Sequence, residues 1–287
     1  QQKLQIVVAT MTQGETVIVT GDGVNDAPAI KTADIGVAMG IAGTDVAKEA
    51  ADLVLQDDNY ATIVEAIKQG RGIFGNFVKF LTYQISCNLS GVFIVFPLTL
   101  LDLGIPLLPI HILLLNLISE TGPCIALGLE KPEETIMKRK PRPKHERLLT
   151  KARWIRMICE AVLLALVGIA AFFLGYEQSL PLATTMVLVT AFLSRLWHAL
   201  NARSETLSIF SKHLRRNSAL TYTVLGTLLF LFLAIYTSLG NSLIKTVPLE
   251  PTLLFACLFL SGISVVLIEV YKIILRRSRE VPHEPLA

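Results

Sequence analysis

Charged residues are scarce in this chain, and their scarcity limits the class of protein it can be. Only 17% of the 287 residues are charged and 52% are hydrophobic, whereas about a quarter of the residues in soluble proteins are charged. The net charge of +3 is too small to indicate a nucleic-acid partner, and none is expected. The composition therefore favours a membrane protein.

Cysteine is also infrequent, and no two cysteines have the spacing of a metal or redox pair. All four lie singly in apolar stretches, at Cys87, Cys124, Cys159 and Cys257. We expect them to be reduced packing residues. The chain also lacks an internal repeat, a low-complexity tract and a signal-peptide pattern. Its start at Gln1, without an initiator Met, is typical of the middle of a domain.

Long apolar runs dominate after Phe74, whereas the first 70 residues have the composition of a soluble α/β domain. A helix needs about 20 apolar residues to cross the hydrocarbon of a bilayer. Six segments meet that length: 75–103, 107–129, 154–176, 182–201, 218–240 and 252–274. We therefore predict a soluble domain over 1–72, a domain of six transmembrane helices over 73–280, and a short tail over 281–287.

Basic residues alternate between the loops that join these segments. The loops after the second and fourth segments, and the stretch after the sixth, are rich in Lys and Arg. The loops 101–106 and 175–182 have neither, and 241–251 has only Lys245. Because positive loops stay on the cytoplasmic side, the pattern predicts a multi-pass protein with both termini cytoplasmic. In a bacterial cell this membrane would be the plasma membrane.

The soluble part contains a short β-branched run, Thr16 to Thr20, that leads into a glycine-rich loop reading GDGVNDAPA from Gly21. Ligands of open α/β sheets bind where strands end, and Gly21 and Gly23 allow a close approach of the backbone. Asp22 and Asp26 carry oxygen ligands of the kind that suits Mg²⁺. Asp and Gly after a strand usually make only a turn, but the whole nonapeptide between a strand and a helix favours a phosphate and Mg²⁺ site.

Two further strands are predicted at 34–39 and 52–55, with a helix over 44–51 between them. This β-α-β-α-β order indicates a parallel sheet. The predicted fold class is therefore an α/β domain followed by an all-α membrane bundle of six helices.

The stretch TGDGVNDAPA, from Thr20 to Ala29, resembles the hinge motif of the P-type ATPases. The match continues through DIGVAMG from Asp34 and through Asp57-Asp58-Asn59, and it extends over nearly the whole chain. The resemblance implies the C-terminal part of a phosphorylation domain of the haloacid dehalogenase (HAD) type.

The resemblance also assigns roles to residues of the soluble part. It implies that Asp22 holds Mg²⁺, that Asn25 and Asp26 organise the phosphate site, and that Lys3 contacts the transferring phosphate. Gly21, Gly23 and Asn25 would form the backbone of that site. Phosphoryl transfer depends mainly on positioning and on neutralising the developing charge, which Mg²⁺ and a lysine supply.

Several parts of the family's pattern do not occur in this sequence. These are the phosphorylated Asp in its DKTGT motif, the nucleotide-binding domain, the actuator domain and the first four membrane spans. The resemblance therefore implies the last third of an ATP-driven cation pump, with ATP bound mainly by the nucleotide-binding domain and the preceding part of the pump as partner. The chain alone is not expected to hydrolyse ATP. Two alternatives are a truncated, non-catalytic protein that regulates a pump, and a phosphatase-type domain on an unrelated anchor.

Polar side chains interrupt the second predicted span, at Asn116, Ser119 and Glu120. A carboxylate within a span is costly and indicates a functional site. Asn116 and Glu120 are four residues apart and share a helix face, with Ser119 beside them. Gly122 and Pro123 predict a break near the middle of the membrane that frees backbone carbonyls. The segment therefore predicts an ion site.

This segment resembles the calcium-pump branch of the family, in which Asn, Thr-Asp, Gly and Pro occupy the corresponding positions. Asn88 in the first span also matches a ligand position. The two-calcium pumps have Glu where Gly91 and Arg195 stand, although Arg195 could instead extend to the membrane surface from the end of its span. We predict one transported cation per cycle, Ca²⁺-like, with Glu120 central and Asn88 auxiliary. A Na⁺ or H⁺ pump of the same branch is the alternative.

Two other carboxylates, Glu160 and Glu269, lie near the cytoplasmic ends of their spans and are interpreted as structural. The basic run 138–142 is interpreted as a topology signal. The family resemblance implies that its loop couples the ion site to the phosphorylation domain.

Overall fold

The structure is a computed structural model that describes residues 2–133, 136–138, 140–143, 147–204, 208–209 and 216–280, with the side chains of the last helix described to residue 273. The predicted tail, 281–287, and parts of the predicted basic loops lie outside the described residues. The chain divides into two compact units, one of Gln1–Phe74 with Pro132–Leu148 and one of Gly75–Lys131 with Leu149–Ala287. The domain limits at 72 and 73 stay a prediction.

The first unit contains a parallel sheet of three strands in the order β1 (Ile18–Gly21), β2 (Ile35–Met39) and β3 (Leu53–Leu55). The helices of this part are α1 (Gln2–Thr12), α2 (Ala27–Thr32) and α3 (Asp45–Ala50). Val19 pairs with Gly36 and Val37 pairs with Leu53. Each strand is followed by a helix, which confirms the predicted β-α-β-α-β order.

Alternation along β2 explains why the sheet forms a layer between two small cores. Ala38 packs with Ile30 and Ala47 in one cluster. Its neighbours Val37 and Met39 pack with Leu55 in the other. The sheet thereby places the end of β1, and the loop that follows it, at one edge.

Helices joined by loops make up the rest of the described chain. They are α4 (Tyr60–Leu100), α5 (Pro109–Leu114), a π-helix (Leu115–Glu120), α6 (Thr121–Gly128), a 3₁₀ turn (Ile136–Lys138), α7 (Lys151–Tyr176), α8 (Leu180–Ala202), α9 (Ser218–Tyr236), α10 (Ser238–Ile244) and α11 (Pro251–Glu280). Within the described residues six helical stretches are long and apolar enough to cross a membrane, with Pro109–Gly128 counted as one. The predicted fold class, a small parallel sheet followed by six spans, is confirmed.

The ends of some spans differ from the predicted limits. The first span ends at Leu100 instead of 103, and Asp102 and Gly104 that follow have positive φ values of 55° and 97°, which a right-handed helix cannot contain. The fifth ends at Tyr236 instead of 240, because Thr237 is extended and caps the next helix, α10.

Helix α8 is the central element of the second unit. In its most apolar window 83% of the residues are buried, compared with 28% in α9 and in α11. Phe172 of α7 and Met186 and Phe192 of α8 are fully buried in the largest apolar cluster. Because α8 is enclosed, any charged side chain that it carries must find its partners inside the bundle.

Candidate functional site

The loop after β1 is organised around the carboxylate of Asp26, which is buried. Its Oδ1 accepts a hydrogen bond from Lys3 Nζ at 2.5 Å, and its Oδ2 accepts from the backbone N–H groups of Asp22 and Gly23 at 3.4 Å each. The bond from Lys3, followed by those amides, holds the pKa of Asp26 below its ordinary value, and the same bond raises the pKa of Lys3. The structure thus brings Lys3 and Asp26 together as an ion pair.

Of the two glycines in this loop, Gly21 is required by the packing and Gly23 is not. A Cβ on Gly21 would collide with the side chain of Asp26. A Cβ on Gly23 would meet its nearest atoms, in Asn25 and Asp26, only at 3.9 Å, an ordinary contact. Gly21 therefore serves the close approach of Asp26 to the end of the strand.

Asp22 and Asn25 lie exposed at this edge of the sheet. Mg²⁺ keeps several waters and binds through one or two carboxylates plus phosphate, so the exposed carboxylate of Asp22 fits such a partial site. Asp26 fits it less well, since both of its oxygens already accept hydrogen bonds. No group of three or more His, Cys, Asp or Glu side chains suited to a metal occurs among the described residues.

In the second unit, the predicted break at Gly122-Pro123 is wrong in form: the helix widens into a π-helix and then continues. The cause is Pro123, which has no N–H to donate to the carbonyl of Ser119 four residues earlier. That carbonyl accepts instead from Tyr83 Oη at 3.1 Å, and the carbonyl of Ile118 accepts from Thr227 Oγ1 at 3.5 Å. Two backbone carbonyls at this level of the span are therefore bonded to side-chain hydroxyls from other helices.

Glu120, the last residue of the π-helix, is completely buried. Its Oε2 accepts a hydrogen bond from Gln84 Nε2 of α4 at 3.0 Å, and Gln84 Oε1 accepts from Cys124 Sγ at 2.7 Å. The other oxygen, Oε1, lies 3.3 Å from Arg195 Nε of α8. The carboxylate thus stands between a polar amide and a cation.

Arg195 is 4% exposed, so the alternative that it extends to the membrane surface is wrong. Its Nη2 donates to the carbonyl of Cys87 at 3.2 Å, while its Nε faces Glu120 without hydrogen-bond alignment. A Cβ on Gly91 would lie 3.8 Å from Nη2. This is an ordinary contact distance, so Gly91 and the guanidinium lie side by side, and the two departures from the two-calcium pattern are neighbours.

The four predicted ion ligands divide into two pairs. Ser119 and Glu120 are buried, and the hydroxyl of Ser119 donates to the carbonyl of Leu115 at 2.7 Å. Asn88 and Asn116 are exposed on the surface of the unit. The structure therefore brings Glu120 and Ser119 together with Arg195 inside the bundle but leaves the two amides outside it.

Sequence reasoning missed Tyr83, Gln84 and Thr227. Each is polar within an apolar span and bonds to the segment from Ile118 to Glu120. Gln84 was detectable as a polar residue four positions before Asn88 on the same helix. The two hydroxyls carried no comparable signal, because Thr and Tyr in spans commonly bond to the backbone of their own or neighbouring helices.

Comparison with known proteins identifies the family of this chain. Residues 104–274 match a family model described as cation transporting ATPase, C-terminus, and residues 5–67 match one for haloacid dehalogenase-like hydrolases. The chain is 44% identical over 255 residues to a calcium-transporting ATPase of Bacillus subtilis, covering 88% of this chain and 28% of that protein. It is 34% identical over 291 residues to the calcium-transporting ATPase type 2C member 1 of Bos taurus, covering 100% of this chain and 30% of that protein. The chain thus spans less than a third of the length of these relatives.

A HAD-type α/β segment followed by six helices long and apolar enough to cross a membrane defines a multi-pass integral membrane protein. The chain belongs to the cation-transporting ATPase family and matches the C-terminal part of its calcium-transporting members. The predicted family resemblance is therefore confirmed.

Proposed function

We propose that this chain is the C-terminal part of an ATP-driven pump that moves one Ca²⁺ per cycle. The observation that carries the proposal is Glu120, a fully buried carboxylate in a widened turn of a membrane span. Carboxylate, hydroxyl, amide and backbone oxygens are the ligands that Ca²⁺ prefers. The matched relatives are named as calcium transporters, which favours Ca²⁺ over Na⁺ or H⁺.

The charge of Arg195 supports a single ion. Two neighbouring divalent ions need several carboxylates, but Glu120 already has a guanidinium 3.3 Å away and Gly91 offers no side chain. A second divalent cation at this place would meet like charge in a low-dielectric interior. The guanidinium therefore takes the place of the second ion in this proposal.

The exposed amides of Asn88 and Asn116 would complete the site when preceding spans cover them. The relatives are more than three times as long as the aligned part, so the proposal includes an upstream part that supplies the remaining ligands and the phosphorylated Asp. Both termini of this chain would be cytoplasmic. The protein would lie in the plasma membrane if the source is bacterial.

For the phosphoryl chemistry, the proposal assigns Mg²⁺ to Asp22, with Asp26 and Asn25 organising the phosphate site. Mg²⁺ supplies charge neutralisation at the transferring phosphoryl group. Asp26 fixes the loop and holds the ammonium of Lys3 close to the end of β1. ATP would bind mainly to the upstream nucleotide-binding domain.

The test is phosphorylation of the full-length protein from ATP, screened with Ca²⁺, Mn²⁺, Na⁺ and H⁺. We expect Ca²⁺ to stimulate it, and Glu120→Gln to abolish the stimulation because a buried ligand loses its charge. The matched control is Glu250→Gln, the same change at an exposed carboxylate, which should leave the stimulation intact. Stimulation of Glu120→Gln equal to that of the unmodified protein would reject the site, and no phosphorylation with any cation would favour the regulator alternative.

A further inference from the structure

A second group of ionisable side chains lies inside the spans and supplies none of the ligands proposed for the site described above. Its centre is His198 of α8, which is 2% exposed. Neither ring nitrogen has a hydrogen-bond partner within the described part of the chain. The nearest charged group is Glu160 of α7, whose Oε2 lies 3.8 Å from His198 Nε2.

Glu160 is itself buried and held in place from two sides. Its Oε1 accepts from Arg156 Nε at 2.7 Å, and its Oε2 accepts from Ser86 Oγ of α4 at 3.4 Å. Oε2 therefore faces both a weak hydroxyl donor and the imidazole. The prediction that Glu160 is merely structural leaves this orientation towards a histidine unexplained.

Helix α11 closes the group with a second buried ion pair. Lys272 Nζ donates to Glu269 Oε1 at 3.0 Å and to the carbonyl of Asn201 at 2.7 Å. Glu269 Oε2 and both amide atoms of Asn201 have no partner among the described residues. Buried polar atoms are bonded in the great majority of cases, so these unsatisfied atoms indicate polar groups that can take a proton or bind water.

Among the described residues, the remaining charged side chains to consider are Lys79 of α4, four residues before Tyr83, and the pair at the ion site. Glu120 and Arg195, the latter one turn away along α8, form the ion pair described above. Helices α6 and α9 also pack on α8, and their sequences contain no charged residue. With His198 neutral, Arg156 balances Glu160 and Lys272 balances Glu269. The group therefore has room for one added positive charge, which lies against the carboxylate of Glu160.

Tyr83 connects this group to the ion site. Its ring stacks on that of His198 with centroids 5.4 Å apart and an angle of 28° between the planes. Its hydroxyl donates to the carbonyl of Ser119 in the π-helix. One rigid side chain thus touches both the unpartnered histidine and the backbone beside Glu120.

We propose that His198 and Glu160 form a proton-binding site, separate from Glu120, whose occupancy is coupled to the ion site through Tyr83. One proton adds to a ring nitrogen of His198 and faces Glu160, and no other bond changes. The added charge disfavours a cation at Glu120, and Tyr83 links the imidazole to the backbone beside Glu120, so protons and the transported cation oppose each other. Because coupling between two sites is reciprocal, the proton lowers the affinity for the cation by the same factor as the cation lowers the affinity for the proton.

The coupling rests on the proposed function and is tested in the full-length protein by Ca²⁺-stimulated phosphorylation between about pH 6 and about pH 8. In the unmodified protein the Ca²⁺ concentration for half-maximal stimulation should rise as the pH falls. In His198→Asn the Ca²⁺ concentration for half-maximal stimulation should rise by a factor that is about fivefold or more smaller. About fivefold is the lower end of measured couplings between sites. Tyr83→Phe, which keeps the ring but loses the bond to Ser119, should reduce it as well.

The matched control is His111→Asn. His111 is also completely buried in a span, but its Nδ1 accepts from the Leu108 N–H at 3.3 Å and its Nε2 lies 2.8 Å from the Ile244 carbonyl. Its pH profile should therefore match that of the unmodified protein. Superimposable profiles for His198→Asn and the unmodified protein would overturn the coupling.

The proton site itself is tested without any transport assay, so its failure is distinguishable from failure of the pump proposal. In membranes containing protein with ¹⁵N-labelled histidine rings, the His198 signal is the one that His198→Asn removes. We expect it to change from the neutral to the protonated form between about pH 5 and about pH 9, and Glu160→Gln to move the change to lower pH. A neutral signal over that whole range would overturn the site. If His198→Asn does not fold, His198→Gln provides the assignment.

Discussion

Replacement of Arg195 by Gln tests the electrostatic role of the buried guanidinium. The side chains of Arg195 and Glu120 are 5% and 0% exposed, so solvent screens their interaction little. At the observed 3.3 Å and an effective dielectric constant of about 20, Coulomb's law gives about 5 kcal/mol. Measured couplings of close charge pairs begin at about 1.5 kcal/mol, which corresponds to roughly tenfold in affinity.

Loss of this competing cation should therefore tighten Ca²⁺ binding by tenfold or more. The assay is the Ca²⁺ dependence of phosphorylation of the full-length protein, together with thermal unfolding with and without Ca²⁺. Arg195→Gln should unfold at a lower temperature without Ca²⁺, because Glu120 loses its partner, and recover with it. Arg203→Gln is the matched control, since Arg203 pairs with Glu130 at 2.7 Å outside the ion site. Unchanged Ca²⁺ affinity in Arg195→Gln would refute the assignment of the guanidinium to the ion site.

Two further predictions concern the loop after β1. The pKa of Asp26 is lowered in the folded protein. Its carboxylate should therefore stabilise the first unit fully above about pH 4, the pKa of an unfolded Asp, and should lose that contribution as the pH falls through the pKa of the folded state. The unfolding temperature should therefore fall at acid pH, and it should fall less in Asp26→Asn. Identical pH dependence in Asp26→Asn and the unmodified protein would contradict the role of the ion pair with Lys3. Gly21→Ala should destabilise the loop by about 1–3 kcal/mol, because the new methyl group displaces Asp26. In a denaturant titration of both variants, Gly23→Ala should lower the free energy of unfolding clearly less than Gly21→Ala does, and equal losses would show that the close approach of Asp26 is unimportant.

Residue patterns were sufficient for the sheet and the six spans. Short apolar or β-branched runs, such as Thr16 to Thr20, and uncharged runs of about 20 residues are local properties that each segment carries by itself. The span limits were less accurate, because Asp102 and Thr237 end their helices through backbone conformations that apolar composition does not record.

The ion site was predictable only in part. The polarity of Glu120 within an apolar run is visible in the sequence, but its pairing with Arg195 joins residues 75 positions apart and depends on the packing of α8. The widened turn depends on Tyr83 and Thr227, which reach it from other helices. Asn116 was expected to share a face with Glu120, and the wider turn alters the spacing on which that expectation rested.

The π-helix also sets the angular position of everything that follows it in the span. A wide turn contains one residue more than an α-helical turn, which corresponds to a rotation of α6 by about 100°. In its present phase Cys124 points at Gln84 and Leu127 is buried, while Ile125 is 59% exposed. Deletion of one residue before Thr121 would turn a side chain other than that of Cys124 towards Gln84, which bonds to Glu120. The length of this segment, and not only its composition, is therefore under constraint in proteins that keep this site.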